Sequence, residues 1–171
     1  MLTGKFHGHR ELSPSHEHYL RAIWEVRSRR GYARLTDVAR ELGVATATLS
    51  VGIRPLEARG LVAHDEARFL VLTEAGERIA REVHHRFTVL RTFLRDLLHV
   101  PDAVAEGEAC MIEHDISSET TERFVDFLKF LGEDAEMAAM LHRRFDSYRR
   151  SCRTGAACTS CGFACLTPPP Q

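Results

Sequence analysis

Long apolar runs are missing. No stretch approaches the roughly 18 apolar residues a membrane-spanning helix needs, and the N-terminal segment MLTGKFHGHRELSPS lacks the apolar core of a secretion signal. Both absences predict a cytoplasmic protein that has no membrane partner. An excess of one charge is missing too: 23 Lys+Arg stand against 24 Asp+Glu, a net of −1, which excludes a uniformly basic nucleic-acid coat. Cysteine is scarce except at one end, with four of five residues between Cys152 and Cys165. In a reducing compartment that placement suits metal or redox chemistry better than structural disulfides. A glycine-rich phosphate loop and other catalytic signatures are also lacking. Cys110 with His114 and Glu113 can be read as a thiol nucleophile and base, but one helix face offers neither substrate cleft nor oxyanion donors. An enzyme is therefore not expected.

What is present suits a folded chain of one compact unit or two small ones: 171 residues, 44% hydrophobic and 27% charged. The expected fold class is mainly α, an N-terminal winged helix-turn-helix over 1–75, an all-helical domain over 76–150, and a cysteine-bearing tail over 151–171. Ser13-Pro14 caps a first helix running to about Arg30 and broken by Gly31. Thr36 is placed to cap a second helix, Asp37 to Leu42. A third, from about Thr46 to Arg59, repeats apolar residues at Leu49, Ile53 and Leu56. Leu61–Ala63 and Phe69–Leu72 flank a polar turn and read as a hairpin, the wing. Thr73 caps a long fourth helix to about Leu98 with an apolar stripe at Ile79, Val83, Phe87, Leu90, Leu94 and Leu97. A fifth follows Pro101 to about His114, a sixth is capped by Ser117 or Ser118 and ended by Gly132, and a seventh runs from about Asp134 to Arg150. Their broad apolar faces exceed what one small domain can bury, which predicts a helical homodimer.

A winged helix-turn-helix sets its second motif helix in the major groove of double-stranded DNA, so Thr46, Thr48, Ser50, Val51 and Arg54 are placed to meet bases and phosphates, with Arg68 at the wing tip. Val51, Gly52 and the interior Pro55, expected to kink the helix, also fit a winged helix used for protein contacts. In the fifth helix Cys110, Glu113 and His114 recur at i, i+3 and i+4, putting a thiol, a carboxyl and an imidazole on one face. That spacing fits a metal site and equally an amphipathic helix with incidental polar residues.

Ser15-His16-Glu17-His18-Tyr19-Leu20-Arg21-Ala22-Ile23-Trp24, Gly60-Leu61-Val62, Leu72-Thr73-Glu74-Ala75-Gly76 and above all Glu108-Ala109-Cys110-Met111-Ile112-Glu113-His114 with Ser117-Ser118-Glu119 resemble the diphtheria toxin repressor family of iron- and manganese-dependent repressors. The resemblance covers about residues 13–145 and matches the short members, with nothing like the C-terminal SH3-like domain of longer ones. It implies a homodimeric repressor of metal-homeostasis genes, a palindromic operator, and an activating metal site of His18, Cys110, Glu113 and His114. Histidine at position 18 departs from the methionine or aspartate of the family. Of the family's second site Glu106 remains; Phe87 and Arg91 replace a histidine and a carboxylate, Arg91 is expected to pair with Glu106, and His84 and His85 would contribute only with another helix register.

Thiolate, two imidazoles and a carboxylate suit Fe(II), with Zn(II) next and Mn(II) less favoured. The tail Cys152, Cys158, Cys161 and Cys165, spaced C-x5-C-x2-C-x3-C, is more compact than a usual structural zinc site. An iron-sulfur cluster, a zinc ion and a redox-active tail are its three readings. They support an alternative function in which the winged helix answers to redox or iron-sulfur status and the helical metal site is vestigial.

Overall fold

The computed structural model describes residues 12–152. The first helix, α1 (Pro14–Arg30), begins where Ser13, in extended conformation, accepts a hydrogen bond from the His16 N–H. It ends at Gly31, whose φ of 79° is open to glycine at no steric cost. Leu20, Ile23 and Val26 on its inner stripe are buried with Val38, Leu49, Leu56 and Leu70 in the core of the N-terminal half.

α2 (Leu35–Glu41) starts earlier than predicted: Arg34 is its cap residue, with no side-chain hydrogen bond, and Thr36 lies inside the helix. The Ala33 carbonyl accepts the Leu70 N–H at 2.8 Å, so the chain is pinned to the wing before the helix begins. The predicted third helix is two, α3 (Thr46–Gly52) and α4 (Arg54–Ala58), with Ile53 between them as a shared cap. Pro55 causes the division: it brings no N–H, a lack that matters least in the first turn of a new helix. Leu49, Ile53 and Leu56 still reach the core.

The wing is β1 (Val62–His64) paired antiparallel with β2 (Leu70–Leu72), Ala63 opposite Val71. Its turn closes where the Asp65 carboxylate accepts the Phe69 N–H at 2.8 Å and Arg68 takes a φ of 65°. Thr73 then caps α5 (Glu74–Thr92), accepting the Gly76 N–H and donating its hydroxyl hydrogen to the Gly60 carbonyl. α5 lies along α1, the most extensive helix pairing among the described residues.

Where one helix was expected to continue to Leu98, Phe93–Leu97 form a π-helical turn. The wider turn carries the Leu98 N–H to Phe93 O, and Val100, which precedes proline and so disfavours helical dihedrals, leaves the helix. α6 (Asp102–Ile112), α7 (Ser118–Glu133) and α8 (Ala135–Cys152) complete the described chain. α6 stops two residues before the predicted His114, but Glu113 keeps helical dihedrals as its cap, which preserves the spacing from Cys110. Ser117 caps α7, which runs past Gly132 by one residue. Phe127, Phe130, Met140, Leu141 and Tyr148 on α7 and α8 are exposed. Among the described residues no helix is long and apolar enough to cross a membrane.

Gly76 is fixed by contact: a Cβ there would lie 2.0 Å from the Leu61 carbonyl oxygen, a backbone atom that cannot step aside. Gly76→Ala is expected to lower stability by roughly 1 to 3 kcal/mol through overpacking, read as a fall in the thermal midpoint of the protein.

Candidate metal centre

α1 and α6 bring the four predicted ligands to one junction but in two pairs. His18 Nε2 stands 3.7 Å from Cys110 Sγ, and His114 Nε2 stands 3.4 Å from Glu113 Oε1. Arg21, one turn after His18 and 5% exposed, bridges the pairs: Nη2 donates to Cys110 Sγ at 3.4 Å while Nε lies 3.5 Å from Glu113 Oε1. Its Nη1 is 3.7 Å from Glu25, and its guanidinium lies over the Phe87 ring at 4.0 Å. With that arginine in place, no three His, Cys, Asp or Glu side chains among the described residues converge to hold an ion.

Burial sets the charge of each donor. Glu113 is 0% exposed and neither carboxyl oxygen has a hydrogen-bond partner. Desolvation pushes its pKa up to about 8 although Arg21 and Arg86 pull the other way. Burial first, then the charges of Arg21 and His114, push His18 down to about 4, which leaves a neutral imidazole with a free lone pair at pH 7. Burial likewise raises the Cys110 thiol against the pull of Arg21. Orphaned buried carboxyl oxygens, a neutral imidazole and a thiol are a donor set that fits a divalent metal, whose binding would release the protons held by Cys110 and Glu113.

Glu17, Arg21 and Arg86 were not foreseen as parts of this site. Glu17 Oε2 lies 2.8 Å from His114 Nδ1 and 3.4 Å from Arg86 Nη2, and Arg86 Nε donates to the Glu113 carbonyl at 2.9 Å. A carboxyl group beside Nδ1 orients the ring so that Nε2 faces Glu113, the usual support of a metal-binding histidine. The signal available was Glu17 and Arg21 at i, i+4 on the helix face beside His18.

The additional candidates separate. Glu106 is exposed but lines the same open cleft, about 280 Å³, as His18, Arg21 and Cys110. His84 pairs with Glu25 at 3.0 Å and packs on Trp24, and exposed His85 lines a different cleft with Ser118 and Glu122. Arg91 does not pair with Glu106 as expected; it donates to Asp102 at 2.8 and 3.1 Å, one helical turn earlier on α6. Cys152 ends α8, while Cys158, Cys161 and Cys165 lie outside the described residues.

In the N-terminal half Thr46, Thr48, Val51 and Arg54 are exposed and Ser50 is half-buried; Arg68 is exposed at the wing tip. Gly52 faces inward, where a Cβ would meet the Tyr19 ring at 2.5 Å. Arg34, which sequence reasoning passed over, lies over the stacked rings of Tyr32 and Phe69 beside the wing.

Residues 11–70 match the N-terminal DNA-binding domain of the iron-dependent repressors, and residues 73–140 match their metal-binding and dimerisation domain. The chain belongs to the iron-dependent repressor family. Its members are metal-dependent DNA-binding transcriptional repressors and not enzymes. Among relatives of this repressor, the HTH-type transcriptional regulator MntR of Bacillus subtilis (strain 168) is 29% identical over 122 residues, 71% of this chain and 85% of that protein. The MntR of Bacillus pumilus (strain SAFR-032) is 28% identical over 129 residues, 75% and 89% of the two chains. Of solved structures, the manganese regulator SloR superposes with a TM-score of 0.62 at 25% identity, and T. acidophilum IdeR with 0.60 at 26%. In both cases the match covers 70% of this chain and 55% of the other, so the repressor spans about half the length of these solved relatives.

The raised Glu113 pKa ties stability to pH. Its carboxyl stays neutral up to about pH 8 in the folded metal-free repressor but only to 4.5 when unfolded. The stability carried by the neutral form is therefore full below about pH 4.5 and lost as pH rises through 8. Glu113→Gln is expected to flatten the fall in metal-free stability between pH 5 and 8 in denaturant titrations, and to weaken metal binding.

Proposed function

We propose that this repressor senses a divalent metal through His18, Cys110, Glu113 and His114, with Fe(II) the physiological ion, Zn(II) next and Mn(II) third. The observation that supports it best is the fully buried Glu113 carboxyl, whose two oxygens lack partners at the junction of α1 and α6. The donor chemistry favours iron or zinc over manganese, because thiolate and imidazole are softer ligands than the carboxylate and carbonyl oxygens Mn(II) prefers. The solved SloR is described as a manganese regulator, so a preference for iron or zinc would set this repressor apart from it.

In this reading residues 1–75 form the DNA-binding domain and 76–150 the metal-binding and dimerisation domain. A metal held by these four residues would supply the positive charge that lets Glu113 and Cys110 ionise. His18 then ties α1, and with it the winged helix, to α6. Glu17 and Arg86 keep His114 in the orientation the site needs. A homodimer built through the exposed apolar residues of α7 and α8 would set two α3 helices on successive half-sites of a palindromic operator. Thr46, Thr48, Ser50, Val51 and Arg54 would face the bases and phosphates, with Arg68 on the backbone. The regulated genes would serve metal uptake or homeostasis in the cytoplasm.

Anaerobic fluorescence anisotropy on DNA from the gene's own upstream region, titrated in separate arms with Fe(II), Zn(II) and Mn(II) and reversed by chelator, tests this. Binding is expected only with metal, Fe(II) acting at the lowest free concentration, and His18→Ala is expected to weaken metal-dependent binding at least about tenfold, within the usual range of such couplings. Binding indifferent to metal and to His18 would overturn the proposal. Loss of response in Cys158→Ala but not in Cys110→Ala would move the sensor to the cysteine tail.

A further inference from the structure

Arg21 is a permanent cation placed where a metal ion would have to compete with it. It is 5% exposed, and its guanidinium touches both halves of the donor set, Cys110 Sγ at 3.4 Å and Glu113 Oε1 at 3.5 Å. Its Nε, facing Glu113, completes no hydrogen bond of good geometry, which leaves a buried donor beside a buried acceptor, each unsatisfied. The guanidinium is held there from the other side by Glu25 at 3.7 Å and by the Phe87 ring at 4.0 Å, a stacking that suits arginine and not lysine. These contacts explain why four donors within reach of one another fall into two pairs: the arginine bridges them.

We infer that Arg21 is the resident cation of the metal-free site, which must withdraw from Cys110 and Glu113 before a metal ion can join the two pairs, and which thereby sets the metal concentration at which the site fills. The inference rests on the metal reading of the site and adds its threshold. An arginine never deprotonates in this range, so its opposition to an incoming cation is constant, and two like charges sharing one buried cluster repel across a weakly screened distance. Withdrawal has a direction as well. Glu25, already 3.7 Å from Nη1, and Glu106, which lines the same cleft, offer carboxylates on the solvent side of the site. The arrangement gives the metal-free state a cation already lodged against the donor set and paired with Glu25. A weak metal supply is then met by competition from the protein itself.

The test compares wild type, Arg21→Gln and Arg21→Lys by anaerobic Co(II) titration against a chromogenic chelator, the thiolate-to-metal absorption band reporting occupancy. Thermal melts are taken with and without Co(II). Removing the charge is expected to tighten Co(II) binding at least about tenfold, a typical coupling between competing sites. It should also lower the melting temperature of the metal-free form while leaving that of the loaded form near wild type. Arg21→Lys, which keeps the charge but loses the fork and the stacking on Phe87, is expected to fall between wild type and Arg21→Gln. If Arg21→Gln does not fold, Arg21→Met, long enough to cover Phe87, carries the same expectation. Wild type and neutral variants binding Co(II) within twofold of each other would overturn this inference alone. Wild type that binds no Co(II) would overturn the metal reading and this inference with it.

Discussion

Glu113 stands at the meeting of α1, α5 and α6 with no hydrogen-bond partner for either oxygen. Burial keeps this carboxyl neutral, and an ionised one there would need a cation beside it. Arg21 reaches it from α1, Arg86 reaches its backbone carbonyl from α5, and Glu17 balances Arg86 while holding His114. Each of these side chains is placed by a helix whose other face belongs to an apolar core. The polar cluster and the packing therefore cannot be rearranged independently. The chain tolerates unsatisfied atoms here and nowhere else so densely among the described residues, a pattern more common at functional sites than in cores built for stability alone.

The helices divide the labour unevenly. α1 contributes Leu20, Ile23 and Val26 to the core of the winged helix and, on its other side, Glu17, His18 and Arg21 to the junction with α6. α5 runs beside it as a strut, capped against the wing by Thr73 and pressed on Leu61 by a residue with no side chain. The consequence is mechanical. No flexible linker separates the wing from the strut, so a change in how α1 meets α6 is carried by packed helices.

Features encoded by near neighbours were legible in the sequence. Ser13-Pro14, Thr73 and Ser117 cap the helices where their side-chain oxygens can reach an N–H two or three residues on, and Gly31 ends α1 because only local backbone geometry is at stake. The division at Ile53 and the π-helical turn at Phe93–Leu97 were not legible: apolar periodicity runs through both, and what decides them is a proline without its N–H and the need to turn the chain before Pro101. Of the site, the Cys110, Glu113, His114 face could be read from spacing, whereas His18 came only with the family resemblance. Arg21 and Glu17 escaped because an arginine and a glutamate on a helix look like a solvated pair until the partner helix covers them.

Tyr19 follows His18 directly, and its ring lies so close over Gly52 of α3 that a methyl group there would have nowhere to go. Residues 18 and 19 thus face the junction with α6 and the helix α3 across a single peptide bond. A rotation of α1 that carries the imidazole toward Glu113 must also drag the phenol across the back of α3. On the proposed reading one peptide bond separates the metal ligand from the residue that touches the DNA-reading helix, and the missing side chain at position 52 is the socket in which that motion would turn.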